Sequence, residues 1–437
     1  MKKVNRKHIR KSARTLLSIV LALAMLLSLG GVAASAAAIS EKKASEPMIL
    51  VGGLSSYSPD SKLGNLVGHY MGGIAAHDYA EKMRGRGITA YESTQSPFGS
   101  NWDRACELYA NIKGGRVDYG KAHSEKYGHE RYGRTFPGLY PQWDNDHPVD
   151  LFGYSMGAPT TRILASLLAW GNKDEQAASP NDCSDLFKGG NAKMINSVST
   201  ISGTNNGTTL ADGIFNLIDD LTGDHEKTLD IASTLLGVIG LAAQGTDISS
   251  LIDPMFDQYG LQPKAGETNL EYVTRCINES NIWKSRDVCW WDMSTWGSKT
   301  INETYPDNPN AYYFAYACSA SQPDNGGPQQ KAGPNKFLLT PLIDILGHYK
   351  CNTAWGWDDS YYENDGMVNT QFAFAPFNSK RTDYKEGIVP ERGAWVNMPK
   401  VQQVEHSGVA GFYLVINKTV DILDLFSNQA RYVQALA

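Results

Sequence analysis

A serine flanked by two glycines, in the stretch from Val149 to Ala158, constrains the fold of this chain more than any other feature. The apolar run before Gly153 predicts a strand. The isoleucine and leucines at helical spacing after Gly157 predict a helix packed back on a sheet. Ser155 falls at the sharp turn between them, where a side chain at either glycine would collide with a neighbouring element. In such a nucleophile elbow the serine hydroxyl stands clear of the sheet. The pattern also arises by chance, so the interpretation depends on finding partners for Ser155.

Further apolar runs alternate with helical patterns along the chain. Strands are predicted at 47–51, 87–91, 193–201 and 311–316, and helices at 75–84, 101–112 and from about 409. This alternation favours an α/β fold with a mostly parallel sheet. The stretch 114–141 is rich in Gly, Tyr and His and has little periodicity, which predicts a long ordered excursion. Apolar patterns within 208–250 fit either core-facing helices or a mobile lid over an apolar site.

The first 36 residues have the pattern of a secretory signal peptide. Seven basic residues are followed by an apolar run and by the small residues Ala34, Ser35 and Ala36. An uncleaved membrane anchor is the alternative, but the run is short for a span of about 20 residues. Residues 37–46 are predicted to be a polar tether, and 47–437 a single large domain.

Composition after signal removal excludes some classes of function. Loss of the seven basic residues takes the formal charge from −6 to about −13, which disfavours nucleic-acid binding. No further stretch is long and apolar enough to span a bilayer. The six cysteines are scattered without a C-x-x-C pair, so a cysteine zinc site is not predicted.

Chain order selects the partners of Ser155. In α/β-hydrolases the order is serine, acid, histidine, with the acid after a late strand. Asp365 lies in a turn sequence, and His406 is the one histidine that follows it. Asp358 and Asp359 are competing acids.

These residue types predict acyl transfer. Ser155 would attack an acyl carbonyl, His406 would carry the proton, and Asp365 would orient the imidazole. The oxyanion of the tetrahedral intermediate needs preorganised donors. We expect them to be the backbone N–H groups of Met156 and of Leu54, in the loop after the first strand.

Several longer segments resemble one known family, the zinc-containing secreted lipases of thermophilic bacilli and their staphylococcal relatives. The similarity extends over most of residues 47–436. Its segments are Ser100 to Glu107, Gly114 to His123, Gly128 to Leu139, Asp257 to Leu261 and Asn364 to Thr370. The chain departs from the family at Gly52-Gly53-Leu54, where its members usually have His-Gly-Phe, and from the bacillus members around the nucleophile. It has Gly-Tyr-Ser-Met-Gly where the bacillus members have Ala-His-Ser-Gln-Gly.

The resemblance implies an α/β-hydrolase fold with a helical lid at about 208–250 and a zinc subdomain at about 100–141. It implies four zinc ligands: Asp103, His123, His129 and Asp257. Two histidines and two aspartates suit zinc chemically, and four protein ligands make the ion structural rather than catalytic. Calcium is not predicted, because the acids that follow the histidine in the family are absent after His406.

The sequence thus predicts a secreted triacylglycerol lipase that works at a lipid–water interface. A carboxylesterase for short soluble esters is the alternative enzyme, because the sequence does not define the acyl pocket. A non-catalytic lipid-binding or cell-surface protein on the same scaffold is the alternative of another class. The complete set of Ser155, Asp365 and His406 counts against it.

Overall fold

The structure is a computed structural model. It describes residues 46–54, 56–58, 70–71, 78–213, 255–260, 264, 275, 286–335, 337–411 and 421–436. The predicted signal peptide and most of the predicted lid, from 214 to 250, lie outside these residues.

A seven-stranded parallel sheet forms the centre of the molecule, in the order β11-β12-β7-β6-β5-β1-β2. Its strands are β1 (Met48–Val51), β2 (Ala90–Glu92), β5 (Val149–Tyr154), β6 (Ile195–Ile201), β7 (Tyr312–Tyr316), β11 (Arg381–Asp383) and β12 (Trp395–Asn397). Three two-stranded pairs complete the described strands: β3 (Gly115–Asp118) with β4 (Tyr132–Phe136), β8 (Cys318–Ser319) with β13 (Val401–Gln402), and β9 (Ser321–Pro323) with β10 (Gln330–Ala332).

Helices cover both faces of the sheet. They are α1 (Tyr79–Gly85), α2 (Asn101–Lys113), α3 (Lys121–Tyr127), α4 (Gly157–Trp170), α5 (Lys173–Ala178), α6 (Asp185–Lys188), α7 (Cys289–Met293), α8 (Thr295–Thr304), α9 (Thr340–Leu346), α10 (Thr370–Ala373), α11 (His406–Val409) and α12 (Ile422–Gln434). Short 3-10 turns occur at Ala192–Met194, Asp257–Tyr259 and Asp359–Tyr362.

The inner strands β1, β5 and β6 are buried at every residue, and β1 and most of β5 are apolar. In β5, Val149 and Leu151 pack on the face covered by α2 and α4, whereas Phe152 and Tyr154 pack on the face covered by α1 and α12. Side chains alternate along a strand, so a continuous apolar run supplies both cores. Each fully buried large aliphatic side chain contributes roughly 2 kcal/mol to folding. The mostly parallel α/β fold predicted from the sequence is therefore present.

The stretch 114–141 is more regular than its composition predicts. It contains the antiparallel hairpin of β3 and β4, with α3 between the two strands. Glycines with positive φ angles at Gly114 and Gly120 flank β3, where they interrupt any periodic pattern in the sequence. The C-terminal helix also begins later than predicted, at Ile422, after the separate short helix α11.

Among the described residues, no helix combines the length and the apolar character needed to span a membrane.

Candidate functional site

Ser155 sits in a left-handed turn at the carboxyl end of β5, with φ of 56°. The two glycines make this turn possible. A Cβ at Gly153 would lie 2.5 Å from the carbonyl oxygen of Gly157, and a Cβ at Gly157 would overlap the carbonyl oxygen of Val51. A serine in this backbone region is strained and persists because the surrounding structure holds it.

The Ser155 side chain begins a hydrogen-bonded chain, the serine cluster, made of Ser155, His406 and Asp365. Ser155 Oγ lies 2.9 Å from His406 Nε2, and His406 Nδ1 lies 2.9 Å from Asp365 Oδ2. All three residues are buried. The three residues selected by chain order are thus brought together by the fold.

Asp365 is held rigidly in its turn. Its Oδ1 accepts hydrogen bonds from the N–H groups of Met367 (3.0 Å) and Val368 (2.8 Å), and its own carbonyl accepts the His406 N–H at 2.8 Å. The competing acids lie elsewhere. Asp358 caps a 3-10 turn, and Asp359 accepts a hydrogen bond from the Trp357 indole, both in exposed positions.

The two predicted oxyanion donors flank Ser155. A Cβ at Gly53 would lie 2.6 Å from Ser155 Cβ, so the loop that carries Leu54 runs directly beside the nucleophile. Met156 is fully buried and packs in an apolar cluster with Leu54 and the Trp290-Trp291 pair. Neither the Leu54 nor the Met156 N–H is hydrogen-bonded within the described residues.

A buried arginine that the sequence interpretation did not single out fixes this loop. Arg104 is fully buried, and its guanidinium donates to the carbonyls of Gly52 (2.5 Å) and Ser96. Its Nε donates to Thr160 Oγ1 at 3.2 Å, and that hydroxyl donates to the Met156 carbonyl at 3.0 Å. Burial lowers the pKa of Arg104 to about 10, which still leaves it charged at neutral pH. Arg104 therefore contacts the Gly52 backbone directly and the Met156 backbone through Thr160, on the two sides of the expected oxyanion position.

A second group of acids and histidines, the metal cluster, consists of Asp103, His123, His129 and Asp287. One ligand atom from each lies within 4.8 Å of the others. His123 Nε2 is 3.3 Å from Asp103 Oδ1 and 3.1 Å from Asp287 Oδ2, and His129 Nε2 is 3.3 Å from Asp287 Oδ2.

The sequence prediction of Asp257 as the fourth ligand is wrong in this structure. The Asp257 carboxylate is instead paired with the guanidinium of Arg134 through both oxygens, which is the geometry an arginine fork prefers. The next residue, Gln258, turns inward and donates to Asp103 Oδ2 at 2.9 Å. Asp287 takes the fourth place. No local sequence motif identifies Asp287 as a ligand, because only the fold brings it close to Asp103, His123 and His129.

The metal cluster has the features of a cation site. Asp103 Oδ1 and His129 Nε2 are buried, and their 3.3 Å contacts with His123 Nε2 and Asp287 Oδ2 lack hydrogen-bond geometry, which is costly unless a cation pairs with them. Burial alone would lower the pKa of His123, but the Asp287 and Asp103 carboxylates raise it to about 10. His129 Nδ1 lies 2.9 Å from the Glu130 carbonyl, so its Nε2 is free to act as a ligand.

Comparison with known proteins gives one consistent result. The chain matches the family model "Lipase-like, C-terminal domain" over residues 44–429. It is 35% identical to Lipase 1 of Staphylococcus aureus (strain Mu50) over 372 residues, which cover 84% of this chain and 51% of that protein. The chain thus spans about half the length of the curated relatives it matches.

Solved structures agree with this result. The Staphylococcus hyicus lipase has a TM-score of 0.76 at 31% identity, covering 91% of this chain and 98% of that one. EstA from Clostridium botulinum has a TM-score of 0.76 at 34% identity, covering 90% and 87%. Lipase 1 from Pelosinus fermentans has a TM-score of 0.71 at 35% identity, covering 90% and 99%. The predicted α/β-hydrolase fold and the predicted resemblance to staphylococcal-type lipases are confirmed.

Proposed function

Because the chain belongs to the lipase-like family, we propose that it is a secreted serine ester hydrolase that acts on acylglycerols. The observation that carries the proposal is the continuous chain of two 2.9 Å contacts from Ser155 through His406 to Asp365. That arrangement is what a hydroxyl needs to become a nucleophile at neutral pH.

In this mechanism the Ser155 hydroxyl attacks the ester carbonyl while His406 Nε2 accepts its proton. Asp365 keeps the Nδ1 proton in place and stabilises the imidazolium. The Leu54 and Met156 N–H groups stabilise the oxyanion. His406 then returns the proton to the leaving alcohol, and water repeats the sequence on the acyl-enzyme.

The metal cluster supports a structural zinc ion held by Asp103, His123, His129 and Asp287. Bonds of about 2.0 Å in a tetrahedron put ligand atoms roughly 3.3 Å apart. The contacts of 3.1 Å and 3.3 Å between histidine and aspartate atoms fit that spacing. Two imidazole ligands disfavour calcium, which prefers oxygen donors. The ion would balance two buried carboxylates and hold α2 to the segment at 286–293.

The test of the activity is Ser155→Ala compared with the unaltered protein. We expect ester hydrolysis to fall by about four to six orders of magnitude, with the circular dichroism spectrum and melting temperature retained. An active Ser155→Ala protein would overturn the serine mechanism. A lack of hydrolysis in the unaltered protein would instead favour the non-catalytic alternative.

A carboxylesterase remains the second candidate, because EstA is among the similar structures. A series of p-nitrophenyl esters of increasing acyl length, run beside an emulsified triglyceride, separates the two. Activity on the emulsion supports the lipase. Preference for short esters without activity on emulsion supports the esterase, and the lid predicted at 208–250 would then lack a role.

The proposed secretion rests on the first 36 residues. Protein recovered from the culture medium should begin at Ala37. An N-terminus at Met1 in a membrane fraction would favour the uncleaved anchor.

A further inference from the structure

Tyr154, the last residue of β5, is buried and directly precedes the nucleophile. Its hydroxyl donates to the backbone carbonyl of His406 at 2.8 Å. Its ring lies 5.0 Å from the imidazole ring of His406, at an interplanar angle of 38°. One side chain of the nucleophile strand therefore contacts both the backbone and the ring of the proposed base.

Apart from the 2.9 Å contact with Ser155 Oγ, the other contacts of His406 bind it to a different part of the chain. Its N–H and its Nδ1 are both held by Asp365, and the preceding residue, Glu405, accepts hydrogen bonds from the N–H groups of Leu338 (3.0 Å) and Leu339 (2.7 Å). These contacts fix His406 relative to Asp365 and the start of α9. The Tyr154 hydroxyl fixes it relative to β5, which carries Ser155.

A second tyrosine makes the equivalent contact with the oxyanion loop. The Tyr70 hydroxyl donates to the carbonyl of Leu54 at 2.8 Å. Its ring packs on the loop as well, since a Cβ at Gly52 would lie 2.9 Å from it. The Tyr70 and Tyr154 rings are 6.4 Å apart at 42°, within the range of an aromatic pair.

Both hydroxyls stay protonated over any working pH. Burial raises the pKa of Tyr154 well above its ordinary value and raises that of Tyr70 as well. Each phenol is therefore a permanent donor to a backbone carbonyl. Removing the hydroxyl would leave a carbonyl without that donor in an interior where unpaired polar groups are unfavourable.

We propose that Tyr154 and Tyr70 are a pair of positioning residues, in which Tyr154 sets His406 relative to Ser155 and Tyr70 sets the oxyanion loop. This inference rests on the proposed hydrolase function. Both hydroxyls donate to backbone carbonyls, of His406 and of Leu54. Each acts through the backbone of a residue that touches the substrate in the proposed mechanism, so its effect should appear in the chemical step rather than in substrate binding.

The decisive variants are Tyr154→Phe and Tyr70→Phe, because phenylalanine keeps the ring and removes only the donor. With a soluble p-nitrophenyl ester we expect Tyr154→Phe to lower kcat roughly tenfold, the effect of losing about 1.4 kcal/mol of transition-state stabilisation. KM should stay within twofold. Tyr70→Phe should lower kcat by a smaller factor. The double variant should deviate from the product of the two factors, because the rings are in contact.

Active sites are counted by titration with a p-nitrophenyl alkylphosphonate, which modifies the nucleophilic serine. Normalising kcat to titrated sites removes any misfolded fraction from the comparison. The rate of phosphonylation is a second measurement, and it should fall by the same factor as kcat because it uses the same base and oxyanion donors.

Tyr313→Phe is the matched control. Tyr313 is equally buried, and its hydroxyl accepts a hydrogen bond from the Asn308 N–H at 2.7 Å. Tyr313 lies near the start of β7, whereas Ser155 lies at the opposite, carboxyl end of the parallel sheet. This variant should lower the melting temperature and leave kcat unchanged.

The outcomes separate the two proposals. If Tyr154→Phe keeps kcat within twofold of the unaltered protein while Ser155→Ala is inactive, the positioning role is wrong and the hydrolase function stands. If Tyr313→Phe lowers kcat as much as Tyr154→Phe does, the effect is general loosening and the positioning role is again wrong. If Ser155→Ala remains active, Ser155 is not the nucleophile and the proposed serine mechanism fails, whatever the tyrosine variants do.

Discussion

The serine cluster and the metal cluster are both built from buried aspartate and histidine, yet their charges are balanced in different ways. In the serine cluster, both oxygens of Asp365 have hydrogen-bond donors from the protein. In the metal cluster, two carboxylates converge with two imidazoles, and Asp103 Oδ1 and His129 Nε2 have no hydrogen-bond partner in the described structure.

The difference shows what each cluster requires from outside the chain. A single carboxylate with donors on both oxygens is stable alone and leaves the imidazole free to exchange a proton. Two carboxylates at one buried point need positive charge beside them, which a protonated His123 or a metal cation supplies, and a bound metal cation makes the imidazoles unavailable for proton transfer. The same residue types therefore give a reactive site in one place and a structural site in the other.

The largest expected effect comes from Asp365→Asn, which tests the serine cluster. The asparagine favours the wrong imidazole tautomer, so kcat should fall about 10⁴-fold. The melting temperature should change little. Asp359→Asn, an exposed aspartate in the competing group, should be indistinguishable from the unaltered protein in an ester assay. If the Asp359 variant loses activity and the Asp365 variant keeps it, the acid has been misassigned.

Asp287→Asn tests the metal cluster, with Asp257→Asn as its matched control. The Asp287 variant should lose bound metal, measured by elemental analysis of the purified protein. With free metal a thousandfold above Kd, that loss removes about 4 kcal/mol of stability. The Asp257 variant loses only its partly exposed pair with Arg134 and should retain the metal. The reverse result would restore Asp257 as the ligand.

The variant Arg104→Lys tests whether the serine cluster and the metal cluster are structurally independent. Arg104 follows Asp103 on α2, and its guanidinium reaches the Gly52 carbonyl beside Ser155. A lysine cannot form the same fork, so we expect kcat to fall roughly tenfold with metal content unchanged. Loss of metal together with activity would show that the two clusters are a single structural unit.

Asp150→Asn extends the comparison to a buried carboxylate whose side-chain hydrogen-bond donors are neutral. Burial raises the pKa of Asp150 to about 7, although Ser197 and Asn196 donate to Oδ1 at 2.6 Å and 2.9 Å. Between the unfolded-state pKa near 4 and about 7, the folded chain keeps a proton that the unfolded chain has released. Stability therefore falls as pH rises through that window.

The measurement is urea unfolding at pH 5 and pH 8 for both proteins. The unaltered protein should lose more stability over this interval than Asp150→Asn, by on the order of 2 kcal/mol. Equal losses in the two proteins would show that Asp150 is ionised in the folded state throughout.

The serine cluster could be predicted from the sequence because chain order is informative there. One histidine follows Asp365, and the elbow glycines mark Ser155 locally. The metal cluster could be predicted only in part. Asp103, His123 and His129 lie within one stretch, but the choice between Asp257 and Asp287 depends on which aspartate an arginine already occupies.

The hydrogen bonds from side chains to the backbone of the site could not be predicted from the sequence, for a similar reason. The sequence marks Tyr154 as a departure from the bacillus lipases, but it does not reveal that the hydroxyl reaches a carbonyl 252 positions further along the chain. Likewise, the hairpin of β3 and β4 is hidden by glycines, which break the alternation that would identify strands.

The position of the metal ligands in the chain has a topological consequence. Asp103 and Asp287 are separated by on the order of 180 residues, so an ion shared by them is a removable cross-link that closes a loop containing Ser155. Covalent bridges over loops longer than about 100 residues restrict the unfolded chain by roughly 5 kcal/mol in the chain-entropy description. A protease cut between 214 and 250 would fall inside this loop. The two fragments would still share the central sheet through the pairing of β6 with β7, and the ion would add a second, removable link between them.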